Sequence, residues 1–396
     1  MKPIPLLFLS DAVTAKSGLA RITRDLASRV HKHLPDVYRV GTCGYGGPVT
    51  RQLGFPNYPI DMENWVVKDL HEIWQDFAGD EKGALLSIWD ASRLLWLSRP
   101  ENCPDIRVQN FLRKKPFKLW TYTPMDATGP NGKLTAVLKH TLEGFDRVLA
   151  YSKWAEDILR RTLVRKELLD GLTNLPHGID MSVFYPRKKA QCRHGWAQKL
   201  GVKDHRGEWV NPADDALMIG IVATNQARKD WGLAMQAIAE IKKSRKVFLW
   251  LHTDVPERYW SIPALVNDFG LTKETVLTTV EFSDEQMAWS YSVCDVFLAI
   301  GMGEGFGYGA AEALCCGTSV VAPNYGGAEY IPQEFLVEPA MYRVEGAYNC
   351  YRPVMEPGDF KDAIIKSSHK EFNPPLGIMW DNLWPRWEKW FRDGAI

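Results

Sequence analysis

GEGFGYGAAEALCCGTSVVAPNYGGAEY, residues 303–330, follows a short apolar run, Val296–Ile300, and the two together read as strand, tight turn and helix. Glycines 301, 303, 305, 307 and 309 make the bend, Ala310–Cys315 has helix-like composition, and Gly317 falls where a helix would stop. A unit of this kind aims backbone N–H groups at whatever fills the crevice beside it, which suits phosphate or sugar oxygens. Glu304 falls in the bend and Glu312 about one turn into the helix. The spacing therefore predicts two carboxylates facing one pocket, able to accept hydrogen bonds from sugar or ribose hydroxyls. A βα unit with only a packing role needs neither acid, nor the second glycine pair Gly326-Gly327.

The segment resembles the E-x(7)-E signature of the retaining glycosyltransferases of family 4. Pro5–Ser10 followed by Ser17-Gly18-Leu19-Ala20-Arg21 is similar to that family's first strand and glycine loop. Ser152-Lys153-Trp154 and Pro176-His177-Gly178-Ile179-Asp180, with Phe184 and Pro186, look like its interdomain crossing, and Gly220–Lys229 like its basic diphosphate-binding loop. The resemblance spans most of the chain. It implies an α/β GT-B fold, in which two Rossmann-like doubly wound domains face a central cleft and a C-terminal helix returns to the first domain. It also implies a retaining glycosyltransferase, hexosyl- or pentosyl-, that takes a nucleotide diphosphate sugar such as a UDP-sugar as donor.

At 396 residues the chain is long enough for about two domains. The expected division is 1–186 for the acceptor-side domain, 187–215 for a charged crossing, 216–378 for the donor-binding domain and 379–396 for the returning helix. No apolar run reaches the ~18 residues of a membrane span, and no N-terminal signal segment is visible. Seven cysteines without regular spacing argue against a disulfide framework. The expectation is a cytoplasmic protein without stable membrane insertion, lying in the host cytoplasm if virus-encoded. Net charge is zero, yet residues 1–190 hold 28 Lys and Arg against 21 Asp and Glu, leaving 20 against 27 for the rest. That asymmetry fits either an anionic partner for the basic half or dispersed surface charge.

Along the chain, Leu6–Ser10, Ala84–Ile88, Lys118–Tyr122 and Val148–Tyr151 read as strands of the first half, and Leu19–His33 as a helix. Tyr45–Glu63, rich in Gly and Pro, reads as loop. Leu217–Ala223, Val247–Leu251, Val276–Val280, Val296–Ile300 and Ser319–Ala322 read as strands of the second half, several of them continuously apolar as buried parallel strands tend to be. Trp380, Trp384, Trp387 and Phe391 share one helical face, with Pro385 permitting a kink. That face packs on the first domain or, alternatively, rests on a membrane surface. Cys192, His194 and His205 lack a fourth ligand at finger-like spacing, so no zinc site is expected.

Glycosyl transfer requires a stabilised leaving diphosphate, an oriented sugar and a delivered acceptor hydroxyl. For the diphosphate, Lys229 and Arg228 are the candidates, with the N–H groups of Gly305, Phe306 and Gly307. The family usually carries Arg five positions before the Lys, where this chain has Thr224, so either Arg228 supplies that charge or the donor is held differently. By resemblance, Glu304 takes donor-sugar hydroxyls, Glu312 the ribose, and Glu281-Phe282-Ser283 lies against the nucleobase, with Glu329 a further donor-side candidate. In the first domain, Gly18 lets the backbone approach the diphosphate or acceptor. Asp126 either orients the acceptor hydroxyl or is a turn aspartate before Gly129-Pro130, and His177 either bonds a phosphate or sugar oxygen or is a satisfied structural group. The catalytic set is Glu304, Lys229 and Asp126, without a protein nucleophile. No Asp-x-Asp pair closes an apolar strand, so neither a bound metal nor a tightly held cofactor is expected.

The acceptor is open between a hydroxymethylated base (hydroxymethylcytosine, for example) in viral DNA and a lipid-linked or cell-surface saccharide. DNA is favoured by the basic first half and by Arg113-Lys114-Lys115 and Lys118 beside Phe117 and Trp120. A nucleotide-sugar-binding module without transfer activity is the non-enzymatic alternative. A dinucleotide dehydrogenase is disfavoured because Ser17-Gly18 does not continue as G-x-G-x-x-G.

Overall fold

The continuous apolar runs of the first half bury on both faces, as strands of a parallel sheet covered by helices do. In the computed structural model, which describes residues 2–203, 208–346, 348–368, 370 and 373–395, they form one seven-stranded sheet. Its members are β1 (Ile4–Asp11), β2 (Tyr38–Tyr45), β3 (Asn57–Pro59), β6 (Gly83–Ser87), β7 (Phe117–Thr123), β8 (Arg147–Ala150) and β9 (Thr173–Asn174), in the order β3-β2-β1-β6-β7-β8-β9. Every pairing is parallel. A short antiparallel ladder, β4 (Met62–Glu63) with β5 (Val66–Val67), lies outside this sheet. Leu7, Leu9, Trp74, Leu85, Trp89 and Phe145 are among the residues that fill the core.

The second half builds a six-stranded parallel sheet from β10 (Leu217–Val222), β11 (Val247–His252), β12 (Thr275–Thr278), β13 (Val296–Leu298), β14 (Ser319–Pro323) and β15 (Leu336–Val337). Its order is β12-β11-β10-β13-β14-β15, so the direction of winding reverses between β10 and β13. An antiparallel hairpin, β16 (Met341–Glu345) with β17 (Cys350–Val354), follows β15. Among the described residues no helix is long and apolar enough to cross a membrane.

The chain separates into two units, Met1–His177 with Leu383–Ile396, and Gly178–Asn382. The expected boundary therefore moves to His177, and 187–215 is not a linker. Its helices Lys189–His194 and Trp196–Leu200 bury Cys192 and Trp196. Lys189 and Arg193 pair with Asp295 at 3.0 and 2.5 Å, and Trp289 Nε1 donates to the Cys192 carbonyl. Charge on the outer faces of these short helices gave the stretch its linker-like composition. His205 lies outside the described residues.

The helix Trp380–Asp393 is continuous through Pro385. Its later turns belong to the first unit, where Trp387 meets Tyr122 with ring centroids 5.0 Å apart and Phe391 meets Tyr38 at 6.0 Å. Trp390, outside the expected stripe, is also buried, set edge-on to Trp120 and beneath the Arg147 guanidinium at 4.1 Å. This apolar face is covered by protein, which overturns the membrane-surface alternative. Tyr38–Tyr45, left unassigned from sequence, is an inner strand, and the expected Tyr45–Glu63 loop is corrected, since part of it is β3, paired parallel to β2.

Candidate functional site

Lys229 and Glu304 lie 75 positions apart, yet the strand order makes them neighbours. Loops leaving the carboxyl ends of β10 and β13 emerge side by side where the winding reverses, the place at which open α/β sheets bind ligands. Backbone bonds lace the two loops together: Asp230 N to Ile300 O at 2.8 Å, Met302 N to Arg228 O at 2.8 Å, and a bridge between Lys229 and Gly301. Asp230 also caps the helix Trp231–Lys242 by accepting from Leu233 N at 3.0 Å, which fixes where the Arg228-Lys229 pair begins.

The Glu304 carboxylate is held by both cations. Lys229 Nζ donates to its Oε1, and Arg228 Nη1 reaches the same oxygen at 3.0 Å and the Gly303 carbonyl at 3.1 Å. Burial pushes the Glu304 carboxyl up, but the Arg228 and Lys229 charges and their hydrogen bonds outweigh it and hold the group at about 2. The Glu304 backbone is fixed too, its carbonyl accepting from Gly327 N at 2.8 Å. Gly326, at φ +89°, lies so close that a Cβ would meet the Glu304 carbonyl oxygen at 2.6 Å. The second glycine pair of the sequence is therefore the clamp on the loop that carries the acid. Gly307, at φ +83°, caps the helix Tyr308–Cys315.

A cavity of about 120 Å³ in this unit is lined by Lys229, Glu304, Phe306, Gly307, Tyr325 and Tyr330, over an apolar floor from β13 and β14. Tyr330 Oη donates toward the Phe306 and Gly307 carbonyls at 2.6 and 2.9 Å. Burial, with the Glu304 charge second, keeps that phenol protonated far beyond its usual range. Neither Tyr330 nor Tyr325 was singled out from sequence, since nothing local marks a tyrosine as a support for a distant loop.

Glu312 is buried in the second turn of its helix, where Oε2 accepts from Tyr291 Oη at 2.9 Å, and it is not among the residues lining the Glu304 cavity. Gly305 is buried beside the cavity without lining it. Phe282 is likewise outside the lining, stacked on His252 at 4.8 Å, while Ser283 caps the helix Asp284–Val293. Thr224 and Glu329 are also outside the lining.

In the first unit, Gly18 opens the helix Gly18–His33 behind its cap Ser17, whose Oγ accepts from Ala20 N at 3.1 Å and donates to Asp11 Oδ2. Asp11 Oδ1 accepts from Trp89 Nε1 at 3.0 Å. This buttress for the glycine loop was missed in the sequence, where the only signal was an aspartate closing an apolar strand. Asp126 is half-buried in the loop after β7. His177 is fully enclosed, with Nδ1 2.7 Å from Tyr122 Oη, while Tyr122 spends its one proton on the Leu175 carbonyl at 2.6 Å. Nδ1 therefore carries the ring proton, and burial, with the Arg21 charge, drives the imidazole pKa well down. The imidazole is therefore neutral. The Arg113-Lys114-Lys115 and Lys118 side chains are exposed, but Phe117 and Trp120 are core residues, so no aromatic platform accompanies that cluster. It also sits at the amino end of β7, away from the ligand-binding end of the sheet.

Residues 214–364 match the family model described as glycosyl transferases group 1. A D-inositol 3-phosphate glycosyltransferase of Xylanimonas cellulosilytica is 27% identical over 52% of this chain and 46% of its own length. The chain spans less than half the length of the curated relatives it matches. Among solved structures, sucrose-phosphate synthase from Thermosynechococcus elongatus superposes with a TM-score of 0.70 at 17% identity, over 98% of each chain. Anabaena HepE, solved with UDP and glucose, superposes at 0.66 with 15% identity, over 98% of this chain and 95% of its own. The chain thus has the two-domain GT-B fold, and the part of it similar to group 1 glycosyl transferases is the part that carries Lys229, Glu304 and Glu312.

Proposed function

We propose that this chain is a retaining glycosyltransferase that moves a sugar from a nucleotide diphosphate sugar to an acceptor hydroxyl, the acceptor being a hydroxymethylated base in DNA. The observation that carries the donor half is the Arg228-Lys229-Glu304 cluster at the winding switch of the second sheet. Two fixed cations beside the amino end of the helix Tyr308–Cys315 suit a diphosphate, whose charge grows as the glycosidic bond breaks. Glu304, ionised at all ordinary pH, accepts hydrogen bonds from sugar hydroxyls and is a positioning group rather than a general base. The UDP and glucose named for HepE fit a UDP-sugar donor.

In this reading the acceptor oxygen bonds to the anomeric carbon on the face from which the diphosphate leaves. The carbon–oxygen bond to phosphate breaks, and the departing phosphate oxygen takes the acceptor proton. No covalent sugar–protein intermediate forms and no metal is required. Asp126 orients the acceptor. The basic balance of residues 1–190 supports a polyanionic acceptor.

The test is incubation with a panel of nucleotide sugars, alone and with hydroxymethylated duplex DNA, unmodified duplex or inositol phosphate, reading nucleotide release and acceptor mass. Release of nucleoside diphosphate with a hexose- or pentose-sized mass gain only on hydroxymethylated DNA is expected. Transfer to inositol phosphate alone would keep the donor assignment and reject the DNA acceptor. No release with any pair would reject both.

A further inference from the structure

Carbonyl groups of the bend after β13 are held by donors from elsewhere in the chain. Arg352 Nη1 donates to the Met302 carbonyl at 3.2 Å, and Arg228 Nη1 to that of Gly303 at 3.1 Å. Gly327 N donates to the Glu304 carbonyl at 2.8 Å. Tyr330 Oη serves both Phe306, at 2.6 Å, and Gly307, at 2.9 Å. In a trans peptide a carbonyl and the N–H of the following residue point in opposite directions. The phenol therefore turns the N–H groups of Gly307 and Tyr308 away from itself. The Gly307 carbonyl also accepts from Ala311 N at 3.1 Å, so it lies along the helix Tyr308–Cys315, and the Tyr308 N–H on the same peptide points out of the helix's amino end. Both residues line the cavity that Lys229 and Glu304 line.

Packing alone does not call for this hydroxyl. The Tyr330 ring meets Phe306 with centroids 5.0 Å apart, a contact that phenylalanine would make equally well. Glycine at 307 gives the bend its positive φ and also leaves room for the phenol, since a Cβ there would stand 3.3 Å from Tyr330 Oη. The hydroxyl, kept protonated by burial, is a fixed donor to two successive peptides. We propose that Tyr330 is a positioning residue for the donor diphosphate, its hydroxyl fixing the Phe306–Gly307 and Gly307–Tyr308 peptides so that the Gly307 and Tyr308 N–H groups meet a phosphate oxygen beside Lys229. Tyr330 acts through the backbone and touches no reacting atom. This rests on the nucleotide-sugar reading of the donor site above and is independent of the acceptor.

The experiment compares Tyr330→Phe with wild type, both as the full chain, in their dissociation constants for UDP by calorimetry and for uridine by ligand-observed NMR. Uridine carries no phosphate, so it reports whether the nucleoside pocket is intact. Wild type should bind UDP more tightly than uridine. Tyr330→Phe should weaken UDP about tenfold and leave uridine unchanged, because the bends in the backbone that lose their donor serve the phosphates alone. Equal weakening of both ligands would mean that the phenol supports the pocket as a whole, and would overturn the assignment. UDP affinity unchanged in the variant would overturn it too, while leaving the donor site in place. A wild type that binds UDP no more tightly than uridine would reject the diphosphate reading itself, and the role of Tyr330 with it.

Discussion

Glu304 draws its character from two residues that precede it by three βα repeats, and the consequences can be measured one side chain at a time. Lys229→Ala removes a nearly buried ammonium from the proposed diphosphate site, and turnover with the best donor should fall about a hundredfold or more. A turnover within a few-fold of wild type would place the diphosphate elsewhere. The carboxyl itself predicts a pH signature. Its value drops from 4.5 to about 2 on folding, so the stability it contributes is complete above 4.5 and is lost as pH falls toward 2. Glu304→Gln, which resembles the protonated acid, should melt on the order of 5 °C below wild type at neutral pH, and the gap should close on acidification. A gap that is constant with pH would mean the ion pairs are not what the acid contributes. Gly326→Val combines positive φ with a clash against the Glu304 backbone, and should lower the melting temperature and disturb the donor site together.

Elements with unbroken apolar runs were legible in the sequence: β1, β6, β7, β10, β11 and β14 fall within a residue or two of their expected limits. β2 was not, because Gly41 and Gly44 interrupt its pattern. The reason is packing, since a Cβ at Gly41 would meet the Phe77 ring at 2.7 Å. The same limit explains the site. The Gly-rich bend and its acid could be read locally, whereas the Tyr291–Glu312 bond and the Gly326 clamp depend on which strands and helices become neighbours. Local spacing marked Glu312 but not the Tyr291 hydroxyl from which it accepts. The last helix was read as amphipathic, yet its stripe omitted Trp390. Trp387→Ala should cost about 3–5 kcal/mol in denaturant unfolding of the first unit, because the side chain is wholly buried and its Nε1 serves the Pro176 carbonyl at 3.2 Å. A cost under about 1 kcal/mol would mean that the helix is peripheral to that unit.

At the scale of the whole chain, the first unit is discontinuous: it is begun by residues 1–177 and completed only by the last turns of the final helix. The second unit lies between these segments in sequence and has its own sheet and core. This ordering gives the two units different vulnerabilities. Ending the chain at Asn382 would uncover Tyr38, Trp120 and Tyr122 in the first unit, remove the Phe391 carbonyl from Tyr38 Oη, and leave the partly buried Arg147 without the Trp390 ring and carbonyl it packs on. Burial already lowers the Arg147 pKa, so losing that carbonyl while apolar neighbours remain adds a polar penalty to the lost packing. Limited proteolysis of a chain ending at Asn382, followed by mass spectrometry, should therefore give early cuts within 1–177 while a fragment near 178–382 persists. The full chain should resist cleavage in both stretches. If the truncated chain is cut first within 178–382, or as slowly as the full chain within 1–177, the final helix is not what completes the first unit.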